Sequence, residues 1–279
     1  MYPKGIVFGL GLYEICLTVG ILVALFLGDR LGIRRKFSVR LQKLFIICIV
    51  VGIGVGFLGA VLFQAFYDFL KTGAFQINER TGMTFYGGLI FGAGAFLAVW
   101  FLGGKYFCKD GEAKEKFSDV ADIAACVVPL AHGFGRLGCF FAGCCHGKAT
   151  TAWYGVLMQT EKGMQKVVPI QLFEALVLFT MASVLLWLFF KKEKGIPLLP
   201  LYCIGYGIWR FCIEYARGDD RGETLVSFLT PSQLVAVLLI AVGVVWLFWI
   251  THRTSVKTEE ENNVEERKRY GKDGSDASI

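Results

Sequence analysis

The feature that most constrains this chain is a succession of apolar stretches of roughly twenty residues each, long enough as α-helices to cross the ~30 Å hydrocarbon core of a bilayer. We read seven, at about 6–28, 44–70, 84–103, 119–141, 169–190, 198–215 and 230–250. Within a bilayer every backbone N–H and C=O must find its partner inside the protein, so such stretches fold as helices. Composition agrees: 55% of the 279 residues are hydrophobic and 19% charged, against about 45–50% and about 25% in a soluble domain. A soluble globular enzyme is excluded. The expected fold is an all-α integral membrane protein of seven transmembrane helices over residues 1–250, followed by a charged, disordered tail over 251–279. No cleaved leader is expected, since the first run is too long for a signal core and no small-residue cleavage site precedes Arg34-Arg35-Lys36. The 9 Cys do not mark a disulfide-stapled mini-protein, which a chain this long and apolar has no need to be.

The formal net charge of +6 serves orientation rather than nucleic-acid binding. When loops are assigned alternately to the two sides, nineteen Lys and Arg fall on one side, among them Arg30, Arg40, Lys105, Lys116, Lys191 and the tail. Eight fall on the other: Lys4, Lys71, Arg80, Lys148, Lys162, Lys166, Arg217 and Arg221. Basic loops stay in the cytoplasm, which puts the N-terminus outside and the C-terminus inside. The longest outer loop, 142–168, carries alternating apolar residues from Ala152 to Met158 and again at Val167-Val168, separated by Glu161-Lys162-Gly163. That pattern predicts a small hairpin forming an extracytoplasmic cap.

Two basic residues, Arg136 and Arg210, belong to no loop. A charge within a span costs at least about 2.5 kcal/mol and marks a candidate functional site. By the deduced orientation both lie near the outer face, as do Tyr13 and Glu14, Tyr86, Gln171 and Glu174, Glu214 and Gln233. Helical spacing sorts these residues into stripes: His132, Arg136 and Cys139; Arg210, Glu214 and Arg217; Gln171 and Glu174. One outward-facing polar chamber would hold them all, and its guanidiniums suit an anionic lipid headgroup, since Arg forks onto phosphate bidentately. The plainer alternative is a set of structural ion pairs, Arg136 with Glu174 and Arg210 with Glu14 or Glu214. A transporter would need polar residues at mid-depth as well, and only Asp119 and Asp122 sit near the inner mouth.

The fragments Tyr13, Tyr86-Gly87-Gly88, His132-Gly133-Phe134-Gly135-Arg136-Leu137-Gly138-Cys139-Phe140, Pro169-Ile170-Gln171-Leu172-Phe173-Glu174, Tyr206-Gly207-Ile208-Trp209-Arg210-Phe211-Cys212-Ile213-Glu214 with Arg217 and Asp219, and Gln233 together resemble the bacterial prolipoprotein diacylglyceryl transferase family, in the family's order. The resemblance implies a multi-pass transferase of the bacterial plasma membrane. Such an enzyme moves the diacylglyceryl group of phosphatidylglycerol to the lipobox cysteine of a prolipoprotein and needs no cofactor and no nucleic acid. It implies catalytic roles for Arg136, Arg210, Glu214 and Tyr86, and substrate contacts for Tyr13, His132, Cys139, Gln171, Glu174 and Arg217. The chain departs from the family pattern at Tyr86, where the family has His, at Cys139, where it has Asn, and at Cys144, where it has an acidic residue. A lipid transferase with another acceptor and a non-catalytic anionic-lipid-binding protein therefore stand as alternatives.

The segment Cys139-Phe140-Phe141-Ala142-Gly143-Cys144-Cys145-His146 gathers three thiols and an imidazole. Four readings stand open: a metal set of Cys139, Cys144, Cys145 and His146; a reactive thiol at Cys139 beside Arg136; a structural disulfide; and small side chains that only pack. No metal is required by the rest of the chain.

Overall fold

The computed structural model describes residues 11–73, 75–78, 81–82, 84–108, 111–160, 163–191, 197–218 and 229–273, with backbone only at Lys71, Phe85 and 253–273. The start of the first expected span, the hairpin-turn residues Glu161 and Lys162, the loop residues Lys4, Arg80, Lys109, Lys192, Lys194 and Arg221, and Asp219 lie outside the described residues.

Nine α-helices and one hairpin make up the described chain. They are α1 (Leu12–Arg34), α2 (Val39–Thr72), α3 (Phe85–Ala98), the short α4 (Gly104–Phe107) and α5 (Glu112–Glu115), and α6 (Phe117–Ala142); then strands β1 (Val156–Thr160) and β2 (Gly163–Val167), and α7 (Ile170–Lys191), α8 (Leu198–Ile213) and α9 (Pro231–Asp273). A π-helical turn, Val99–Gly103, joins α3 to α4. Six helical stretches are long and apolar enough to cross a membrane: Leu12–Arg34, Val39–Leu70, Tyr86–Phe107, Phe117–Ala142, Ile170–Lys191 and Pro231–His252.

Three expectations are corrected. The first helix runs past residue 28 to Arg34, and the second starts at Val39 rather than 44. Hydropathy marks where the apolar run ends, whereas the helix ends where its backbone is capped, here at Ser38, whose hydroxyl accepts from Leu41 N at 3.2 Å. The sixth expected span, 198–215, is α8, with 16 residues. At 1.5 Å per residue it is about 24 Å long; it is followed by one 3₁₀ turn, Glu214–Ala216, and is not among the six stretches above. The charged tail, expected to be disordered, continues α9 as helix to Asp273. Its Glu, Lys and Arg are good helix formers, and extending an existing helix avoids the cost of nucleation.

The chain divides into two compact units, Met1–Ile21 with Ala124–Ile279, and Leu22–Ile123. In the second, α2 and α3 meet through glycines. A Cβ at Gly92 would stand 2.9 Å from Gly52 O, and one at Gly56 3.1 Å from Gly88 O. The backbones touch, as small residues one turn apart allow. Trp100 is fully buried, stacked 6.3 Å from Phe96, and its indole N–H donates to Ala113 O at 3.0 Å. Arg35 reaches Asp119 at 3.5 Å and Asp122 at 3.6 Å, so the acidic pair at the start of α6 is neutralised locally.

In the first unit, α1 packs on α6 through Gly20, where a Cβ would lie 2.8 Å from Phe134 Cβ, and through Gly138, where it would lie 3.1 Å from the Tyr13 ring. Helices α8 and α9 meet at Gly207, where a Cβ would lie 2.9 Å from Ala236 O, and at Gly243, where it would lie 3.0 Å from Pro200 O. The predicted hairpin is present, antiparallel, with Val156 opposite Val167 and Thr160 opposite Gly163. Met158 and Val167 turn inward and are buried, while Leu157 is exposed, the alternation that a half-buried strand requires.

Candidate active site

The site is built from the ends of α6, α7, α8 and α9. Glu174 stands one turn into α7 on its buried face, fully enclosed. Its Oε1 accepts from Arg136 Nη2 of α6 at 3.1 Å and from the Tyr206 hydroxyl of α8 at 3.2 Å. One turn earlier on α6, His132 Nε2 accepts from Arg136 Nε at 3.3 Å, and the imidazole meets the Tyr206 ring edge-on at 5.4 Å. Three helices are thus tied together by one guanidinium, one carboxylate and one phenol.

One turn beyond Tyr206, Arg210 is 7% exposed and Glu214 8%. Arg210 Nη2 lies 2.9 Å from Glu214 Oε2 and donates to Ser232 Oγ at 2.8 Å. Its Nη1 is buried with no hydrogen-bond partner among the described residues. Glu214 also accepts from Thr230 Oγ1 at 3.0 Å and stands 3.9 Å from Arg217 Nε. The expected choice for Arg210 between Glu14 and Glu214 falls to Glu214, because Glu14 is exposed.

Thr230 is also the N-cap of α9. Its Oγ1 accepts from Gln233 N at 3.2 Å, while Gln233 Oε1 accepts from Thr230 N at 3.0 Å, with Pro231 at the first helical position. This reciprocal capping box occupies Gln233, which the sequence reading assigns to the polar chamber. Thr230, Ser232 and Tyr206 escape that reading as site residues, although Thr-Pro-Ser-Gln is itself a legible helix-start signal.

Gln171 is fully buried, and its Nε2 donates to Cys144 O at 2.6 Å, bracing the loop after α6. That loop brings three thiols together: the Sγ atoms of Cys139, Cys144 and Cys145 all lie within 4.8 Å of one another. His146 is not in this group; its Nδ1 stands 3.0 Å from Gly147 O. None of the nine cysteines is joined in a disulfide. The Cys145 thiol is held below its ordinary pKa, first by hydrogen bonds from Cys139 and Cys144 and then by the guanidiniums of Arg136 and Arg217. For Cys144 the hydrogen bond from Cys139 pulls downward, but the one to Cys145 and burial outweigh it, and its pKa is raised.

Tyr13 packs on Gly138, one residue before Cys139. Tyr86 is the second residue of α3, in the other unit.

Arg136, Arg210 and Arg217 are gathered around Glu174 and Glu214, and the buried Arg210 Nη1 donor suits a phosphate oxygen.

The sequence model of the prolipoprotein diacylglyceryl transferase family matches residues 5–249 of this chain. The chain is 34% identical over 248 residues to the phosphatidylglycerol–prolipoprotein diacylglyceryl transferase of Clostridium tetani, covering 85% of this chain and 92% of that protein. It is 32% identical over 249 residues to phosphatidylglycerol–prolipoprotein diacylglyceryl transferase 2 of Clostridium perfringens, covering 86% and 91%. It is 32% identical over 235 residues to the transferase of the same name from Xylella fastidiosa strain M23, covering 72% and 74%.

Proposed function

The chain belongs to the prolipoprotein diacylglyceryl transferase family, and we propose that it transfers the diacylglyceryl group of phosphatidylglycerol to the lipobox cysteine of a prolipoprotein, as a multi-pass enzyme of the bacterial plasma membrane. In this reading α8 with its 3₁₀ turn is a seventh crossing, the N-terminus is outside, and the hairpin forms a cap on the outer side.

The observation that carries the site assignment is the buried Arg210, held through Nη2 by Glu214 and Ser232 with its Nη1 left over among the described residues. Phosphatidylglycerol brings a phosphodiester with one negative charge, and transfer concentrates a second charge on the departing glycerol phosphate. Donors already aimed at that phosphate stabilise the transition state more than the bound lipid. Arg210 is the phosphate ligand through Nη1, its other end fixed by Glu214 and Ser232. Arg136 is the second cation, held by Glu174, with Tyr206 fixing the carboxylate. His132 and Tyr13 complete the headgroup side, Arg217 balances Glu214, and Gln171 shapes the site through the Cys144 carbonyl.

The test incubates the purified protein with labelled phosphatidylglycerol and a lipobox peptide. Thioether product that disappears in both Arg136→Ala and Arg210→Ala supports the proposal. Lipid bound without turnover in the unaltered protein would point instead to a lipid-binding protein or another acceptor, a reading that the Tyr86, Cys139 and Cys144 departures favour.

A further inference from the structure

The three thiols at the end of α6 have no task in the scheme above, yet the chain spends conformational energy to bring them together. Cys145 has φ +60° and Gly143 φ +75°. The left-handed region suits Gly143 but costs a residue with a Cβ about 1 kcal/mol. The left-handed Gly143 turns the chain where Cys144 N donates to Cys139 O at 3.2 Å, and the left-handed Cys145 turns it again one residue later. The fold is braced by the buried Gln171 on Cys144 O at 2.6 Å and by the bridge of Gly147 to Arg217. The outcome is three Sγ atoms within 4.8 Å of one another. Four sulfurs around a tetrahedral zinc ion at about 2.3 Å stand about 3.8 Å apart, so the trio needs to close by no more than about 1 Å.

We propose that Cys139, Cys144 and Cys145 form a three-thiolate site for a thiophilic divalent cation, zinc by geometry, whose fourth position receives the acceptor thiol. A disulfide would use two of the sulfurs and leave the third, and the strained Cys145 backbone, without purpose. An ion uses all three. Cys144 is exposed and His146 is turned to Gly147 O, so the remaining coordination position is open, as in catalytic rather than structural zinc sites. Three thiolates around a divalent cation leave one net negative charge.

The fourth ligand rests on the transferase reading. Coordination deprotonates a thiol outright, the activation that an acceptor thiol with an ordinary pKa of about 8.5 needs before it attacks carbon. The acceptor sulfur loses its proton to solvent on binding the cation. Its lone pair then forms the S–C bond to the diacylglyceryl methylene carbon as the C–O bond to phosphate breaks. The electron pair of that bond leaves on the phosphate oxygen, so glycerol phosphate departs with a second negative charge. The cation keeps its oxidation state.

The experiment uses the full chain purified under reducing conditions without chelator, with zinc measured by elemental analysis and cobalt substitution followed by absorption. We expect one zinc per chain, a tetrahedral thiolate–cobalt spectrum, and a change in that spectrum on adding a lipobox peptide with Cys but not with Ser. Cys144→Ser and Cys145→Ser should each lower bound metal at least tenfold while phosphatidylglycerol binding, which reports the fold, persists; His146→Ala should keep the metal. The site is overturned by reduced protein that takes up no stoichiometric zinc or cobalt, by metal retained in the triple Ser variant, or by a disulfide within the trio in protein taken from membranes. A cobalt spectrum indifferent to the Cys peptide overturns the fourth ligand. Thioether formed by metal-free protein overturns the proposal and leaves the transferase reading intact. Metal bound and ligated by peptide, with no thioether formed, removes the transferase reading and leaves the metal site.

Discussion

The Tyr206 hydroxyl donates to Glu174 Oε1 at 3.2 Å, the same oxygen that lies 3.1 Å from Arg136 Nη2. A fully buried carboxylate is thereby positioned by a guanidinium from one helix and a phenol from another. Removing the phenol oxygen costs one hydrogen bond, about 1.5–3 kcal/mol to a charged group. Removing the carboxylate leaves a buried guanidinium without its counter-charge, about 3–5 kcal/mol. Thermal unfolding in detergent should rank Glu174→Ala well below Tyr206→Phe, and Tyr206→Phe should retain measurable transfer. Equal destabilisation by the two changes would count against the shared-oxygen arrangement.

Arg210 divides its work between two nitrogens, with Nη2 on Glu214 and Ser232 and Nη1 left for ligand. A lysine keeps the charge but cannot hold both partners and a phosphate with one nitrogen. Arg210→Lys should therefore weaken phosphatidylglycerol binding at least tenfold, about 1.4 kcal/mol, in a titration with mixed micelles. Wild-type affinity in that variant would show that charge alone suffices.

Thr230 and Gln233 share a cap but not a function. Gln233→Ala removes one half of the capping box and should cost about 1 kcal/mol without changing the KM for phosphatidylglycerol. Thr230→Val also takes the hydroxyl from Glu214, so stability should fall and KM should rise. Measuring Tm and KM on the same preparations separates the two effects.

Glycines in the α2–α3 contact differ sharply in what they tolerate. A Cβ at Gly92 would meet Gly52 O at 2.9 Å, whereas one at Gly54 meets nothing within 4 Å. Gly92→Ala should destabilise by about 1–3 kcal/mol, and Gly54→Ala should be neutral or slightly stabilising, as expected for Ala in a helix. Denaturation midpoints of the two variants decide this.

The proposed orientation makes a labelling prediction. Single cysteines introduced at Thr151 in the loop before the hairpin and at Lys114 between α4 and α6, in a background lacking the exposed native thiols, should differ in reactivity toward an impermeant maleimide on intact cells. Position 151 should label and position 114 should not. The reverse pattern would invert the topology.

How far the sequence reaches can be read from individual residues. Arg210 and Glu214 were legible as sharing one face because they are four apart, and helical spacing is local. The hairpin was legible because alternation and a turn signal are local too. Small residues one turn apart, such as Gly52 and Gly56, permit a close helix contact, but only the structure names Gly88 and Gly92 as the partners. Hydropathy counted seven apolar runs, but it cannot see that α8 ends after 16 residues or that α9 continues into charged sequence.

The sequence by itself determined that this chain is helical and membrane-bound, which residues share a helix face, and that two guanidiniums belong to no loop, because each follows from composition or from contacts within one turn. The tertiary structure alone decided that Arg136 and Tyr206 meet on a single oxygen of Glu174, that Gln233 is spent on a cap, and that Cys139, Cys144 and Cys145 converge while His146 turns away. Those contacts depend on how helices rotate and cross and on two left-handed residues in one loop. Both are set by packing between segments distant in sequence, which no local pattern encodes.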